Sequence, residues 1–216
     1  MSNDRKLTLS ISNYENLIFD CDGVILDSNR IKEDNIASVA SSYLKGVELT
    51  EFIGYFNSNP GIPRESKIDK FVKDKFIRDA ILNEYNLLNL DTLRNAKISD
   101  GLLELLDSIH NKDILKFIVS GADQHELLDV LSFKGIAKYF HKILGGPKSK
   151  YNNIDSLNII GKSLYFGDSR IDYEVSEFYY FDFVHVTGYA DREITFKNNS
   201  NIKIFNICNF YNLKLK

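Results

Sequence analysis

Asp20 and Asp22 lie two residues apart, with Gly23 next and the apolar run 17–19 directly before them. Such a run predicts a short buried strand, so the two carboxylates fall where a strand meets a loop. Paired acids in this position suit a site in which one carboxylate attacks and the other moves protons. A divalent cation would offset their repulsion toward an incoming phosphate group. Asp and Gly are also common turn residues, so an ordinary turn is the alternative interpretation of this stretch alone.

Polar residues follow three further predicted strands. They are Ser120 with Gly121 after residues 114–119, Lys148 and Lys150 after residues 142–146, and Asp168 with Asp172 after residues 164–166. In parallel α/β sheets, ligands bind beyond the carboxyl ends of the strands. The order Asp, Ser, Lys, Asp at four such ends therefore indicates one composite site.

As a set, these motifs resemble those of the haloacid dehalogenase (HAD) superfamily. The residues 20–24, Asp-Cys-Asp-Gly-Val, are most similar to its phosphoglycolate phosphatase and β-phosphoglucomutase branch. The resemblance covers nearly the whole length of the core, while the segment between the first two motifs matches much less well. It implies an α/β fold with a doubly wound parallel sheet, the HAD-like Rossmannoid core, and an inserted helical cap domain of the C1 type.

The chain after residue 93 alternates predicted helices with predicted strands. The helices are expected over residues 100–109, 123–133, 151–160 and 171–180, and the strands over 114–119, 142–146, 163–166, 183–186 and 202–205. Such alternation favours a parallel sheet with right-handed crossovers, independently of the family resemblance. Residues 198–201, three Asn and one Ser, predict a polar turn.

Residues 28–93 show helical spacing without a clear strand. The expected elements are helices over 29–45 and 65–85, a short helical piece over 51–56, Gly46 as a helix C-cap and a Pro/Gly-rich loop over 57–63. The apolar side of the longer helix is expected to carry Ile68, Phe71, Val72, Phe76, Ile77 and Ala80. We therefore expect a catalytic core formed by residues 1–27 and 94–216, with residues 28–93 inserted as a helical cap.

The resemblance implies a role for each acid. Asp20 is the expected nucleophile, which forms an aspartyl phosphate, and Asp22 is the expected general acid and base. Mg²⁺ prefers hard oxygen ligands, which Asp20, Asp168 and the backbone carbonyl of Asp22 would supply. Asp172 is expected to act on the metal through water or as an orienting group. The alternative for the Asp168 and Asp172 pair is a helix N-cap, since Asp168 and Ser169 precede a predicted helix.

The resemblance also implies roles for a hydroxyl and a lysine. Ser120 is expected to hydrogen-bond a transferring phosphoryl oxygen, helped by the backbone N–H groups of Gly121 and Ala122 at a helix start. The lysine neutralises charge on the phosphoryl group and on the nucleophile. Lys150, at a helix entrance, is favoured for this role, and Lys148 is the alternate. The remaining lysine would be an ordinary solvated side chain.

In the cap, residues 61–67 resemble the substrate-specificity loop of this branch. Arg64 is a planar bidentate donor, so it could reach a second anionic group of the substrate or the phosphate itself. A surface salt bridge is an equally good interpretation of this arginine. The four histidines have no metal-ligand spacing and are expected to be ordinary surface or core residues.

The composition indicates a globular protein with no nucleic acid or membrane as partner. The chain has 216 residues and a formal net charge of −3, without a basic run mixed with aromatic residues. No apolar run approaches the length of a membrane span. Cys21 and Cys208 are too few for a disulfide framework, and Cys21 is expected to fill the core. A cytoplasmic monomer or weak homodimer is the default expectation.

Mg²⁺-dependent hydrolysis of a small phosphorylated metabolite is the leading functional hypothesis. Phosphoglycolate, a phosphosugar, and a polyol or amino-alcohol phosphate all remain open as substrates. A β-phosphoglucomutase-like phosphomutase is the first alternative, because it would share every core residue. The complete set of acids disfavours a non-catalytic HAD-like binding protein, and Asp22 disfavours a dehalogenase, which lacks the second acid.

Overall fold

A computed structural model describes residues 7–190, 194–197 and 201–215. The strands are β1 (Leu7–Leu9), β2 (Asn16–Phe19), β3 (Leu26–Asp27), β4 (Lys97–Ile98), β5 (Leu115–Asp123), β6 (Lys142–Gly146), β7 (Ser163–Gly167), β8 (Asp182–Val186), β9 (Ile204–Ile207) and β10 (Leu213–Leu215). The helices are α1 (Asn29–Tyr43), α2 (Gly46–Asn57), α3 (Arg64–Phe71), α4 (Lys75–Thr92), α5 (Leu102–Ser108), α6 (Gln124–Phe133), α7 (Lys150–Asp155) and α8 (Arg170–Phe178). Short 3₁₀ turns lie at Ile11–Asn13, Leu93–Asn95, Ala137–Tyr139 and Phe210–Asn212.

Six parallel strands form the central sheet in the order β6-β5-β2-β7-β8-β9. The strand order runs outward from β2 in both directions, which confirms the predicted doubly wound α/β fold. Successive residues of a strand point to opposite faces. In β2, Leu17 and Phe19 accordingly join the apolar cluster on one face, and Ile18 joins the cluster on the other. Burial on both faces explains why these three residues are continuously apolar.

The helices α1 to α4 bury a third apolar cluster of their own, with Phe52, Phe56 and Tyr85 among its large members. The chain enters this helical insert after β3 and returns from it to β4, and these two strands pair antiparallel. The sequence does not predict this ribbon, because strands of two residues are too short to show a periodicity. Residues 29–92, all of which the structure describes, contain no strand, as expected.

The sequence predicts one helix over residues 65–85, but the structure has α3 and α4, separated at residues 72–74. Asp74 starts the second helix, because its side chain accepts hydrogen bonds from the backbone N–H groups of Phe76 (2.8 Å) and Ile77 (3.0 Å). Because a second helix begins after Asp74, its residues do not continue the helical spacing of α3, which the prediction assumes. Phe76 is consequently 87% exposed and does not lie on the buried side.

The prediction that Gly46 caps the end of the first helix is wrong. α1 ends at Tyr43, and Gly46, with a φ of +55°, begins α2. Glycine adopts positive φ without steric cost, so it serves here to set a new helix direction. α2 then continues to Asn57, well beyond the predicted piece over 51–56. No helix in the described ranges is both long enough and apolar enough to cross a bilayer.

Two later elements also differ from the prediction. α7 ends at Asp155, because the chain turns through residues of positive φ at Asn158 (+49°) and Gly161 (+90°). The last strand of the central sheet is Ile204–Ile207, two residues later than predicted. The polar turn predicted over 198–201 lies outside the described residues, apart from its last position.

Candidate active site

Asp20 and Asp168 directly follow β2 and β7, and Ser120 lies in the second half of the neighbouring strand β5. β2 pairs with β5 on one side and with β7 on the other. The backbone N–H of Asp20 donates to the carbonyl of Phe166 at 2.9 Å, which holds the turn after β2 against β7. All three side chains are buried. The structure therefore brings these sequence-predicted residues together in one place.

Gly23 lets the loop after β2 pass close to the second acidic motif. Its φ is +72°, and a Cβ at this position would lie 2.0 Å from Oδ2 of Asp168. Only glycine fits such an approach. The same Asp168 oxygen accepts a hydrogen bond of 2.7 Å from Nδ2 of Asn29, the first residue of α1. The helical insert thus contacts the acidic site directly.

Asp20, Asp168 and Asp172 form a compact carboxylate cluster, with one oxygen of each within 4.8 Å of the others. Burial, followed by the charge of Asp172, raises the pKa of Asp20 to about 7, although Lys150 acts in the opposite direction. Burial and the charge of Asp20 also raise the pKa of Asp168 well above its ordinary value. A divalent cation would stabilise the ionised form of these crowded carboxylates, and a set of hard oxygen donors fits Mg²⁺.

Lys150 is the cation of this cluster. Its Nζ lies 2.8 Å from Oδ2 of Asp20 and 2.6 Å from Oδ1 of Asp172, and its side chain is fully buried. Burial opposes the charged ammonium, but Asp172 and Asp20 outweigh burial and raise the pKa of Lys150. Lys148 lies exposed in the turn before α7. The geometry therefore favours Lys150 over Lys148 as the lysine that acts on Asp20, the predicted nucleophile.

Asp172 serves both helix α8 and the site. Its Oδ2 accepts hydrogen bonds from the backbone N–H (3.1 Å) and the hydroxyl of Ser169, which is the N-cap of α8. Its Oδ1 accepts from Lys150 and from the hydroxyl of Tyr165 at 2.9 Å. The helix-cap interpretation thus applies to Ser169 and Asp172, and not to Asp168. With both oxygens engaged, Asp172 is better suited to orient Lys150 than to bind a cation directly.

The side chain of Asp22 contacts the beginning of the helical insert. Its Oδ1 accepts a hydrogen bond of 2.6 Å from Oγ of Ser28, and its Oδ2 lies 2.6 Å from Nζ of Lys32. Asp22 also lines the cavity described below, with 20% of its side chain exposed. A carboxylate held at the cavity edge is placed to exchange protons with a leaving group.

Ser120 lies within β5, whose end differs from the prediction. β5 continues to Asp123, and α6 begins at Gln124 with the Asp123 side chain as its cap. The N–H groups of Gly121 and Ala122 therefore belong to a strand and not to a helix start. The N–H of Ala122 donates to Oγ of Ser120 at 3.1 Å. The Ser120 hydroxyl accepts this bond and still has its own hydrogen to donate.

The loop before α3 rests directly on the end of β5. A Cβ on Gly121 would lie 2.6 Å from the carbonyl oxygen of Gly61, so backbone meets backbone at this contact. Gly61 has a φ of +78°, and a Cβ there would lie 3.1 Å from Oγ of Ser169. Two glycines are what allow so close an approach. The helical insert therefore covers the carboxyl ends of the strands.

Arg64 is buried in an ion-pair network, so the prediction of a surface salt bridge is wrong in its location. Its Nη1 lies 2.6 Å from Oε2 of Glu126, and its Nη2 donates to Oε1 of Glu126 at 2.8 Å. Nζ of Lys32 lies 3.0 Å from the same Oε1. The guanidinium also lies over the ring of Tyr85, 4.7 Å from its centroid. The network joins α1 and α3 of the insert to α6 of the core.

Glu126→Gln is expected to destabilise the protein strongly, because it leaves Arg64 buried without its carboxylate partner and Lys32 with only Asp22. Burial alone would raise the pKa of Glu126, but Lys32 and Arg64 outweigh it and lower the pKa to about 2. Breaking a buried ion pair from one side costs about 3–5 kcal/mol of unfolding free energy. Urea denaturation at neutral pH measures the loss. The contribution of Glu126 is fully present above its ordinary pKa of 4.5, which applies to the unfolded chain, and is lost as the pH falls toward about 2.

Asp129→Asn is the matched control for this prediction. Asp129 lies on the same helix, and its ion pair with Arg94 is at the surface. Solvent screens such pairs, so this variant is expected to lose far less stability than Glu126→Gln. Equal losses in the two variants would contradict the assignment of Glu126 as the centre of a stabilising network.

A cavity of about 110 Å³ lies between the strand ends and the helical insert. Its core side is lined by Asp20, Asp22, Ser120, Gly121, Ala122 and Asp168, and its insert side includes Lys32, Phe56, Gly61, Arg64, Lys67 and Tyr85. The cavity therefore exposes the predicted nucleophile and the predicted acid to the same small volume.

Two charged residues near this cavity, Lys32 and Glu126, carry no functional signal in the sequence. Lys32 resembles a solvated charge of any helix, and Glu126 resembles an acid in a first helical turn. Lys67 lies in the stretch 61–67 that resembles a specificity loop, but no pattern singles it out within that stretch. Glu126 offers one clue in retrospect, since it lies four residues before Val130 on the buried side of α6. A charge in an apolar stripe needs a buried partner.

Known proteins share both the sequence pattern and the fold. A family model described as haloacid dehalogenase-like hydrolase matches residues 17–186, a range that includes every predicted site residue. Pyrophosphatase PpaX of Oceanobacillus iheyensis is 26% identical over 128 residues, which cover 59% of this chain and 58% of that protein. The match thus spans less than two thirds of that relative.

Solved structures have the same architecture. A predicted phosphatase from Clostridium acetobutylicum has a TM-score of 0.68 at 20% identity, covering 89% of this chain and 94% of that chain. A predicted phosphoglycolate phosphatase from Haemophilus somnus has a TM-score of 0.70 at 16% identity, covering 93% of this chain and 96% of that chain. At these identities the likeness shows the fold.

Proposed function

Because this chain belongs to the haloacid dehalogenase-like hydrolase family, we propose that it is a phosphatase that hydrolyses a small phosphorylated metabolite through a covalent intermediate on Asp20. The observation that carries the proposal is the Lys150 ammonium, buried 2.8 Å from Asp20 within the acidic cluster. A cation in this position suits a carboxylate that must attack an anionic phosphoryl group. The names pyrophosphatase and phosphoglycolate phosphatase among similar proteins support phosphoryl hydrolysis.

In the first step, a carboxylate oxygen of Asp20 attacks phosphorus in line with the ester oxygen. The new oxygen–phosphorus bond forms as the bond to the ester oxygen breaks, and Asp22 gives its proton to the departing oxygen. Ser120 donates its hydroxyl hydrogen to a phosphoryl oxygen. Lys150 balances the negative charge on Asp20 and on the transferring group.

In the second step, Asp22 takes a proton from a water molecule, whose oxygen attacks the phosphorus of the aspartyl phosphate. The bond between phosphorus and Asp20 breaks, which regenerates the carboxylate and releases inorganic phosphate. Ser28 and Lys32, each 2.6 Å from a carboxylate oxygen of Asp22, hold this side chain in one orientation during both steps.

We further propose Mg²⁺ as the cofactor, held by the side chains of Asp20 and Asp168 and by the backbone carbonyl of Asp22. The crowding of the acids and the raised pKa values of Asp20 and Asp168 support a divalent cation. Asp172 would act on the cation only through water, since its two oxygens already accept four hydrogen bonds, from Lys150, Tyr165 and Ser169. When bound, the cation would neutralise the charge that otherwise keeps a phosphate away from Asp20.

Activity is expected to require Mg²⁺ and to be lost with Ca²⁺ in its place. Ca²⁺ is larger and accepts more oxygen ligands, so Asp20 could bind it through both oxygens and lose its attack geometry. Phosphate release is measured with Mg²⁺, with Ca²⁺ and in excess chelator, and renewed Mg²⁺ should restore the activity. Full activity in excess chelator would remove the metal role proposed for Asp168.

The small cavity favours a phosphatase over a phosphomutase. Its volume of about 110 Å³ is well below the ~300 Å³ at which pockets for drug-sized ligands begin. A mutase must retain a sugar bisphosphate while the sugar turns over. Incubation with a hexose 1-phosphate and a trace of its 1,6-bisphosphate separates the two activities. Rapid conversion to the 6-phosphate with little free phosphate would favour the mutase.

A panel of phosphate esters, assayed for phosphate release with and without Mg²⁺, tests the proposed activity. The panel contains phosphoglycolate, phosphosugars, and polyol and amino-alcohol phosphates, and release from at least one small ester is expected. Tight binding without release from any ester would favour a non-catalytic binding protein. We also propose that residues 28–93 act as the cap over this site, and that the protein works in the cytoplasm as a monomer or weak homodimer.

A further inference from the structure

Lys67 is a buried cation on the insert side of the cavity. It belongs to α3, is 7% exposed and lines the same cavity as Asp20. Its Nζ lies 3.7 Å from the centroid of the Phe56 ring and donates a long hydrogen bond of 3.3 Å to the Phe56 carbonyl. Among the residues that the structure describes, no carboxylate forms an ion pair with Lys67.

The other basic side chains that line this cavity have carboxylate partners. Lys32 pairs with Asp22 and Glu126, and Arg64 pairs with Glu126. The sequence suggests Arg64 for a second anionic group or for the phosphate itself, with an ordinary salt bridge as an equal alternative, and in the structure Glu126 already balances its charge. Within the described part of the chain, Lys67 is the cavity cation that has no ion pair, although Asp22 and Glu33, which line the same cavity, act favourably on its charge.

An unpaired buried charge is costly, so an anionic ligand beside Lys67 would stabilise it. Burial, followed by the charges of Arg64 and Lys32, lowers the pKa of Lys67 to about 7. The charges of Asp22 and Glu33 act in the opposite direction but do not outweigh burial and the two cations. The face of the Phe56 ring partly stabilises the buried Lys67 ammonium, which can still bind an anion.

We propose that Lys67 receives a second anionic group of the substrate, a carboxylate or a second phosphate, and so selects short compounds with negative charge at both ends. The inference rests on the proposed phosphatase activity, because the first phosphate is the one that Asp20 attacks. The cavity of about 110 Å³ lies below the ~300 Å³ at which pockets for drug-sized ligands begin, which favours a short compound. A neutral sugar or polyol end would leave Lys67 without an ion pair.

Two esters of similar size test this inference. Phosphoglycolate ends in a carboxylate and 2-hydroxyethyl phosphate ends in a neutral hydroxyl, while inorganic pyrophosphate supplies a second phosphate. Calorimetry on Asp20→Asn protein with Mg²⁺ measures affinity without turnover, and kcat and KM are measured with Asp20 in place. Lys67→Met removes the charge at similar length, and Lys67→Arg keeps it. Lys70→Met, at an exposed position of the same helix, is the matched control.

Lys67→Met is expected to weaken binding of phosphoglycolate or pyrophosphate by about tenfold or more, and binding of 2-hydroxyethyl phosphate by less than about twofold. The KM for the anionic compound should rise in parallel, Lys67→Arg should retain part of the affinity, and Lys70→Met should match the parent. If Lys67→Met selectively loses affinity for phosphoglycolate, the second anionic group is a carboxylate. If it selectively loses affinity for pyrophosphate, the second anionic group is a phosphate.

The outcomes separate this inference from the phosphatase activity. If Lys67→Met loses equal affinity for the charged and the neutral compounds, the role of Lys67 is overturned. The same holds if it loses affinity for neither anionic compound. Phosphate release from small esters would still support the phosphatase activity in both cases. Absence of phosphate release from every ester would overturn the phosphatase activity. A selective loss of anion affinity in Lys67→Met would then still support Lys67 as an anion site.

Discussion

Replacing Asp20 with Asn is expected to abolish turnover and leave the fold intact. An amide does not attack phosphorus and is a poor ligand for a hard cation. Lys150 would keep its ion pair with Asp172, so its own charge would stay balanced. Because loss of a covalent nucleophile costs several orders of magnitude, phosphate release should fall below about one per cent of the wild-type rate.

Asp27→Asn is the matched control, because Asp27 is an exposed carboxylate that follows the same loop. This variant is expected to keep its activity. Circular dichroism and thermal unfolding of both variants would show that any loss is chemical and not a loss of structure. A folded Asp20→Asn protein that releases phosphate above the one per cent level would reject Asp20 as the nucleophile.

Lys150→Met is expected to lower kcat by about a hundredfold or more, since it removes a preorganised charge from the transferring group. Lys148→Met should stay near the wild-type rate, because Lys148 is exposed in the turn before α7. The two lysines are only two positions apart in the sequence. The pair of variants therefore tests whether burial and contact with Asp20, rather than sequence position, determine the role. Both kcat and KM should be measured with Mg²⁺ present and after a check of thermal unfolding. The reverse pattern would assign the role to Lys148.

The residues of the site that can be predicted from sequence are those that directly follow a single buried strand. Asp20 and Asp168 each follow a strand that is buried on both faces, and such strands are continuous apolar runs with an abrupt polar end. Both the strand and its carboxyl end are therefore visible in local sequence. Parallel pairing then places these ends side by side, which is why the motifs meet even though their order in the sheet is not encoded locally.

The buried ion network is the part that could not be predicted. Lys32, Arg64 and Glu126 lie on three different helices, and charged residues on helices usually face solvent. Their burial depends on how the insert packs against α6, which the spacing within one helix does not specify. The break before α4 has a similar origin, because Asp74 can either continue a helix or cap a new one.

The contact between Gly61 and Gly121 limits how this sequence can change over evolutionary time. A side chain at Gly121 would clash with the backbone of the loop before α3, since its Cβ would lie 2.6 Å from the Gly61 carbonyl oxygen. At Gly61 the φ of +78° adds strain for any L-residue with a side chain, whatever the space around it. Neither glycine has a side chain that could take part in chemistry, yet both are required for the insert to rest on the strand ends as it does here. We therefore expect Gly61 and Gly121 to tolerate almost no substitution, and changes in substrate selection to come from the side chains around this contact.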